Sequence, residues 1–163
     1  MYKALTKVYN QSLEQGIVPD ILKLSKITPV DKGGDITDPT NYRPISTLSV
    51  FTQIFEKLVY RQLLNHIEKY EILAIAEITD NLKNAIDNNL FTCGVFLDFA
   101  KAFDTVNHNL LLKKMEMYGI RGLPLQWFTN YLTNRQQYVS LAGMESSKQT
   151  VVCGVPQGSS LGP

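Results

Sequence analysis

The chain is 163 residues long, 44% hydrophobic and 19% charged, which suits one domain with a buried core and excludes a disordered segment. Sixteen basic residues against fifteen acidic ones leave a net charge of +1, so there is no overall basic excess of the kind that marks a nucleic-acid-binding domain. Any such contact must rest on local clusters. Cys93 and Cys153 lie in apolar surroundings without metal-ligand spacing, and are expected to be buried free thiols. No apolar run is long enough to span a bilayer, and no basic stretch followed by an apolar core opens the chain. The expectation is therefore an intracellular protein, nuclear or cytoplasmic, that is neither secreted nor membrane-bound.

Apolar residues at helical spacing (Leu5, Val8, Tyr9, Leu13) predict a helix over residues 2–16, ended by Gly16 and followed by Pro19. Ile21 to Val30 reads as extended and Lys32-Gly33-Gly34-Asp35 as a turn. Asn41 to Ser46 reads as extended again, because Arg43 precedes a proline. Helices are predicted over 50–70 (Phe51, Ile54, Phe55, Leu58, Leu63, Ile67) and 74–88 (Ile75, Ile78, Leu82, Ile86). The two meet at Leu73-Ala74 without capping or turn residues. Thr92 to Phe99 is a continuous apolar run that predicts a buried strand. Helices over 110–118 and 124–132 follow. Strands over 136–141 and 149–152 are then expected to pair as an antiparallel hairpin around the Ala142-Gly143 turn. Phe51, Phe55, Tyr60, Trp127 and Tyr131 are read as core rather than as base-stacking platforms.

Several motifs could carry chemistry. Asp98 closes the apolar run 93–99, and a carboxylate at a strand end is costly unless paired or bound to a cation. Taken alone it reads more readily as a turn cap, and Asp104 is expected to cap the helix that follows it. Lys32, Gly33, Gly34 and Arg43 could bind phosphate, through glycine backbone N–H groups and two cations. The plainer reading is a hairpin tip, with Arg43 paired to Asp35 or Asp38. Pro156-Gln157-Gly158 sets an amide side chain close to backbone, or is an ordinary loop. His66 and His108 have no partners at zinc-ligand spacing, and Ser159 and Ser160 lack a nucleophile-elbow context.

The order of these motifs is more specific than any one of them. Ile27-Thr28-Pro29-Val30, Lys32-Gly33-Gly34-Asp35, Asn41-Tyr42-Arg43-Pro44-Ile45-Ser46, Phe96-Leu97-Asp98-Phe99-Ala100-Lys101-Ala102-Phe103-Asp104 and Gly154-Val155-Pro156-Gln157-Gly158 follow one another along nearly the whole chain. This succession resembles the reverse transcriptase of non-LTR (LINE-like) retrotransposons. The resemblance implies an α+β fold, part of a right-hand polymerase. Residues 1–92 would be fingers-like and 93–163 a partial palm, with mixed helices and a small antiparallel sheet. It implies that Asp98 is the first metal-binding aspartate and that Phe103 closes the sugar pocket. Lys32 and Arg43 would face the incoming triphosphate, and Gln157 and Gly158 the template and nucleotide. The implied partners are an RNA template, a DNA primer and deoxynucleoside triphosphates. The implied chemistry is attack of a primer 3′-hydroxyl on a nucleoside triphosphate, assisted by two Mg²⁺ ions roughly 4 Å apart.

The departures from that family matter equally. Its aromatic-Ala-Asp-Asp motif, which supplies further metal carboxylates, is expected downstream of the Pro-Gln-Gly loop, and this chain contains no Asp-Asp pair. Its Gln-x-Gly-Phe-Arg segment is expected near Leu73-Ala74, where an internal deletion is inferred. The expected function is thus that of a reverse transcriptase fragment, inactive alone. The alternative is a non-catalytic RNA- or protein-binding module derived from such an enzyme. A broken polymerase should leave an apolar sheet surface exposed, whereas a binding module should cover it.

Overall fold

The computed structural model describes residues 2–69, 74–95 and 101–162, and for 74–77 the backbone alone. Helix α1 (Tyr2–Gln15) stops where Gly16 takes φ 65° and Ile17 N–H turns back to the Ser12 carbonyl at 3.1 Å. A short 3-10 turn over Asp20–Lys23 leads into strand β1 (Leu24–Asp31), and β2 (Tyr42–Thr47) returns antiparallel to it, with Ile27 opposite Ser46 and Val30 opposite Arg43. Ser49 then opens helix α2 (Val50–Lys69), its hydroxyl accepting from Thr52 N–H at 3.1 Å. Helices α3 (Ala74–Asp87), α4 (His108–Met117) and α5 (Leu123–Leu132) follow. The chain then enters β3 (Gln136–Leu141), β4 (Met144–Glu145) and β5 (Gln149–Thr150).

The core lies where α1, α2 and α5 meet. Tyr9 and Phe55 stack with ring centroids 4.4 Å apart, Trp127 meets Phe55 edge-on at 5.4 Å, and Tyr131 stacks on Trp127 at 5.3 Å. Val18, Leu22, Val59 and Leu132 complete the cluster. The polar tips of these aromatics are all satisfied: Tyr9 donates to the Phe51 carbonyl at 2.6 Å, and Trp127 Nε1–H to Ser12 Oγ at 3.1 Å. Asn130 of α5 accepts from Val18 N–H at 2.8 Å. These bonds fix the three helices against one another.

The sheet runs in the order β2-β1-β3-β4, with β5 also on β3. The hairpin expected over 136–152 forms: Gln136 faces Thr150 and Gln137 faces Gln149, antiparallel, although β5 ends at Thr150. Ala142 and Gly143 take φ 49° and 81°, the two consecutive left-handed residues that match strand twist in a tight hairpin. The sheet itself is mixed rather than antiparallel. Strand β1 pairs parallel with β3, Leu24 beside Gln136 and Ile27 beside Val139. Parallel neighbours need a long crossover, and here the helices lie between the two strands in sequence.

Other expectations need correction. Residues 92–95 of the expected buried strand are not in a strand, and Phe91 and Val95 are exposed. No strand of the described residues runs beside them, and an apolar run without a ladder partner gains neither hydrogen bonds nor cover. Residues 96–99 of that run lie outside the described residues. Both cysteines are free but exposed, since neither falls on an element that packs on the core. Phe51 and Tyr60 are half exposed because the buried stripe of α2 runs through Thr52, Phe55, Glu56 and Val59. Asp104 does not cap α4. That position belongs to Asn107, whose side chain accepts from Leu110 N–H at 3.1 Å.

Candidate functional site

Three segments far apart in sequence are clasped together. The carbonyl of Phe103 accepts from Val155 N–H at 2.9 Å, and that of Val106 from Gly154 N–H at 2.8 Å. The Gly154 carbonyl in turn accepts from His108 Nε2 at 2.7 Å, which requires the proton to sit on Nε2. Three residues on, the Gln157 carbonyl accepts from Ser46 N–H at 2.9 Å. Strand β2 is a sheet edge, so the Pro156–Gly158 loop occupies backbone groups that would otherwise be free. Gly158 lies against the same edge: a Cβ there would sit 3.2 Å from the Ser46 carbonyl oxygen.

The clasp borders an open groove of about 430 Å³ lined by Ser25, Pro44, Ser46, Asp104, Arg135 and Gln157, among others. Of the residues singled out in the sequence, Gln157 lines the groove, Gly158 lies against the β2 edge, and Phe103 joins the clasp through its carbonyl. Phe103 is itself 41% exposed. Arg43 does not line the groove. Pro44 and Ser46 do, and alternation along β2 puts Arg43 on the other face, exposed and without an ion pair among the described residues. Lys32 sits at the start of the hairpin connection with its ammonium turned back to the Thr40 carbonyl at 3.0 Å. Asp35 and Asp38 do not pair with Arg43. Each accepts from its own neighbour, Thr37 or Thr40, and these bonds hold both carboxyls below the ordinary range. Asp98 lies outside the described residues. Among the described residues, Asp104 is the one carboxylate that lines the groove, and no three metal-ligating side chains gather. One carboxylate does not hold a pair of divalent cations, so the described residues alone do not fit that metal pair.

The residues that sequence reasoning passed over stand directly behind the loop. Glu56 and Arg135 are each only 1% exposed. Glu56 Oε1 accepts from the Tyr131 hydroxyl at 2.5 Å and Oε2 from Ser160 N–H at 2.9 Å. The Arg135 guanidinium lies over the Tyr131 ring, 4.5 Å from its centroid. A signal was present: Glu56 shares a helix face with Thr52 and Val59, and Arg135 follows Tyr131 by four residues. Burial pushes the Glu56 carboxyl above its ordinary range, against the opposing pull of Tyr131, Ser160 N–H and Arg135. Burial likewise raises the Tyr131 phenol, which therefore remains a donor at neutral pH.

The sign of the Glu56 shift sets a pH dependence. A carboxyl whose pKa is raised by folding adds stability below its unfolded pKa of about 4.3, and that stability is lost as pH rises through the folded value. The stability of the native chain relative to Glu56→Gln should therefore fall as pH rises from about 4 toward neutrality. Urea midpoints across that range measure it. A difference that grows with pH would mean that pairing with Arg135 outweighs burial.

The comparisons agree with the motif order. The model of the reverse transcriptase (RNA-dependent DNA polymerase) family matches residues 30–163, which takes in the end of β1, all of β2, the clasp and the Pro156–Gly158 loop. Among curated proteins the chain is similar to the RNA-directed DNA polymerase from mobile element jockey of Drosophila melanogaster, 32% identical over 178 positions that take in 98% of this chain. It is also similar to the probable RNA-directed DNA polymerases from transposon BS, 29% identical over 185 positions and all of this chain, and from transposon X-element, 29% identical over 178 positions and 98% of it, both of the same organism. The chain spans about a fifth of the length of each of these relatives (19%). With the motifs in order, and those at Phe103, Gln157 and Ser46 bonded to one another, the chain belongs to the reverse transcriptase (RNA-dependent DNA polymerase) family, in its non-LTR retrotransposon branch.

Proposed function

We propose that this chain carries the nucleotide- and template-facing surface of an RNA-directed DNA polymerase and is inactive without further carboxylates. The observation that carries this reading is the clasp, which joins the Phe103 segment, the Pro156–Gly158 loop and the β2 edge through backbone hydrogen bonds. Residues 1–92 would serve as fingers and 93–163 as part of the palm. Phe103 would close on the sugar, and Gln157 and Gly158 would meet template and nucleotide. Lys32 and Arg43, on the β1–β2 hairpin, would reach the phosphates. Asp98 would be the first ligand of a divalent cation such as Mg²⁺.

Alignments of 178 and 185 positions exceed the 163 residues of the chain, which supports a segment missing relative to the relatives, assigned to the Leu73-Ala74 join. Residues 70–73 lie outside the described residues. Against a binding module with covered surfaces stand the exposed Val139, Leu141, Met144 and Val152 of the sheet region. No helix among the described residues is long and apolar enough to cross a membrane.

The test is anisotropy of a labelled RNA template with annealed DNA primer. Binding that weakens with salt is expected, and Lys32→Ala with Arg43→Ala should lower the salt slope by about 1 for each phosphate left without its cation. Binding unaltered by that double substitution would rule out a phosphate-binding role for both residues.

A further inference from the structure

We propose that Glu56 is a positioning residue, one that holds the Pro156–Gly158 loop in place through Ser160 rather than by touching a substrate. Glu56 lies on the buried face of α2 between Phe55 and Val59, where an apolar side chain would fill the space without charge. A carboxylate taken out of water is destabilising unless it is paired and hydrogen-bonded. Replacing buried ion pairs by well-packed apolar residues is often neutral or stabilising, so stability alone does not account for an acid here.

What the acid supplies is connection. One oxygen takes the Tyr131 hydroxyl on α5, and the other takes the backbone N–H of Ser160, three residues after Gln157. An apolar residue can fill volume but cannot fix a backbone N–H. The loop thus has one anchor at Ser46 on the β2 edge, a second at Phe103 through Val155, and a third inside the helical core through Glu56. Gln157 lies between these anchors. The charged and titratable groups facing Glu56 are Arg135 and Tyr131. Arg135 Nη2 and Ser159 Oγ are buried without a hydrogen-bond partner in the same cluster. This is a polar seam beneath the loop, held by one carboxylate and one guanidinium.

That Gln157 and Gly158 face template and nucleotide rests on the function proposed above, whereas the positioning of the loop does not. The two are separated by amide hydrogen exchange on the full chain, read residue by residue, with and without primer–template. Glu56→Gln keeps one oxygen that can accept from Ser160 N–H while its NH₂ donates to a rotated Tyr131 hydroxyl, so it should leave Ser160 held, whereas Glu56→Met offers no acceptor. In Glu56→Met exchange at Ser160 should rise at least about tenfold more than in the β1–β2 ladder and spread to residues 157–159. Glu56→Met should also lower the urea midpoint, because it leaves the Arg135 guanidinium, the Tyr131 hydroxyl and Ser160 N–H buried without that acid. Exchange at Ser160 in Glu56→Met that is unchanged, or that rises no more than in the β1–β2 ladder, would overturn the positioning role. If the loop loosens as expected but primer–template leaves residues 157–160 of the native chain unprotected, the proposed function fails and the role of Glu56 stands.

Discussion

Given an RNA template, an annealed DNA primer, deoxynucleotides and Mg²⁺, the purified 163-residue chain is expected to extend no primer at all. The reason is electrostatic. Two unit charges about 4 Å apart interact by about 4 kcal/mol at an effective dielectric of about 20, and two dications repel by roughly four times that. Catalysis by a metal pair therefore needs several carboxylates around it to offset that repulsion. Asp98 is one candidate ligand. Asp104, six residues later, has its backbone N–H tied to the Lys101 carbonyl and lines the groove without a second acid beside it among the described residues. Triphosphate oxygens could add ligands to one ion but would not fix the ion that activates the primer hydroxyl. Primer extension followed on a gel, with Asp98→Asn in parallel, measures this. Extension that disappears in Asp98→Asn would overturn the expectation and mean that a second copy supplies the missing carboxylates. Extension indifferent to Asp98→Asn would come from a contaminating polymerase.

The second large effect is expected at Gly154. Its φ of 85° lies in the left-handed region, where an L-residue costs about 1–2 kcal/mol. A Cβ there would also stand 2.7 Å from the Asp104 carbonyl oxygen and 3.0 Å from Asp104 C and Cα. These are backbone atoms of the clasp and cannot rotate away, so overpacking adds about 1–3 kcal/mol. Gly154→Ala should therefore lose roughly 2–5 kcal/mol, enough to unfold a marginal domain. Gly143 is the control. Its φ of 81° is nearly the same, yet a Cβ there would meet nothing within 4 Å. Gly143→Ala should lose only the backbone part, about 1–2 kcal/mol. Equal urea midpoints for the two variants would show that the 101–106 segment yields freely, and the clasp would then be no rigid feature of the fold.

Local physics determined most of the elements. Helices α1, α2, α3 and α5 follow from apolar spacing with Gly16 and Ser49 at their boundaries. The β3 hairpin follows from its flanking strands and the Ala142-Gly143 turn. Family membership was legible for a related reason, because the order of short motifs survives even where each motif alone is ambiguous. What the sequence could not express was pairing across long separations. The parallel contact of β1 with β3 joins residues more than a hundred positions apart, and neither strand carries a mark of its partner. The apolar run beginning at Thr92 had the composition of a buried strand, but burial belongs to neighbours and not to composition, and its described part lies exposed. Glu56 and Arg135 have ordinary surface chemistry until α2, α5 and the Ser159-Ser160 turn converge on them. Only the tertiary structure could bury both, because the free energy of a charge is set by what surrounds it.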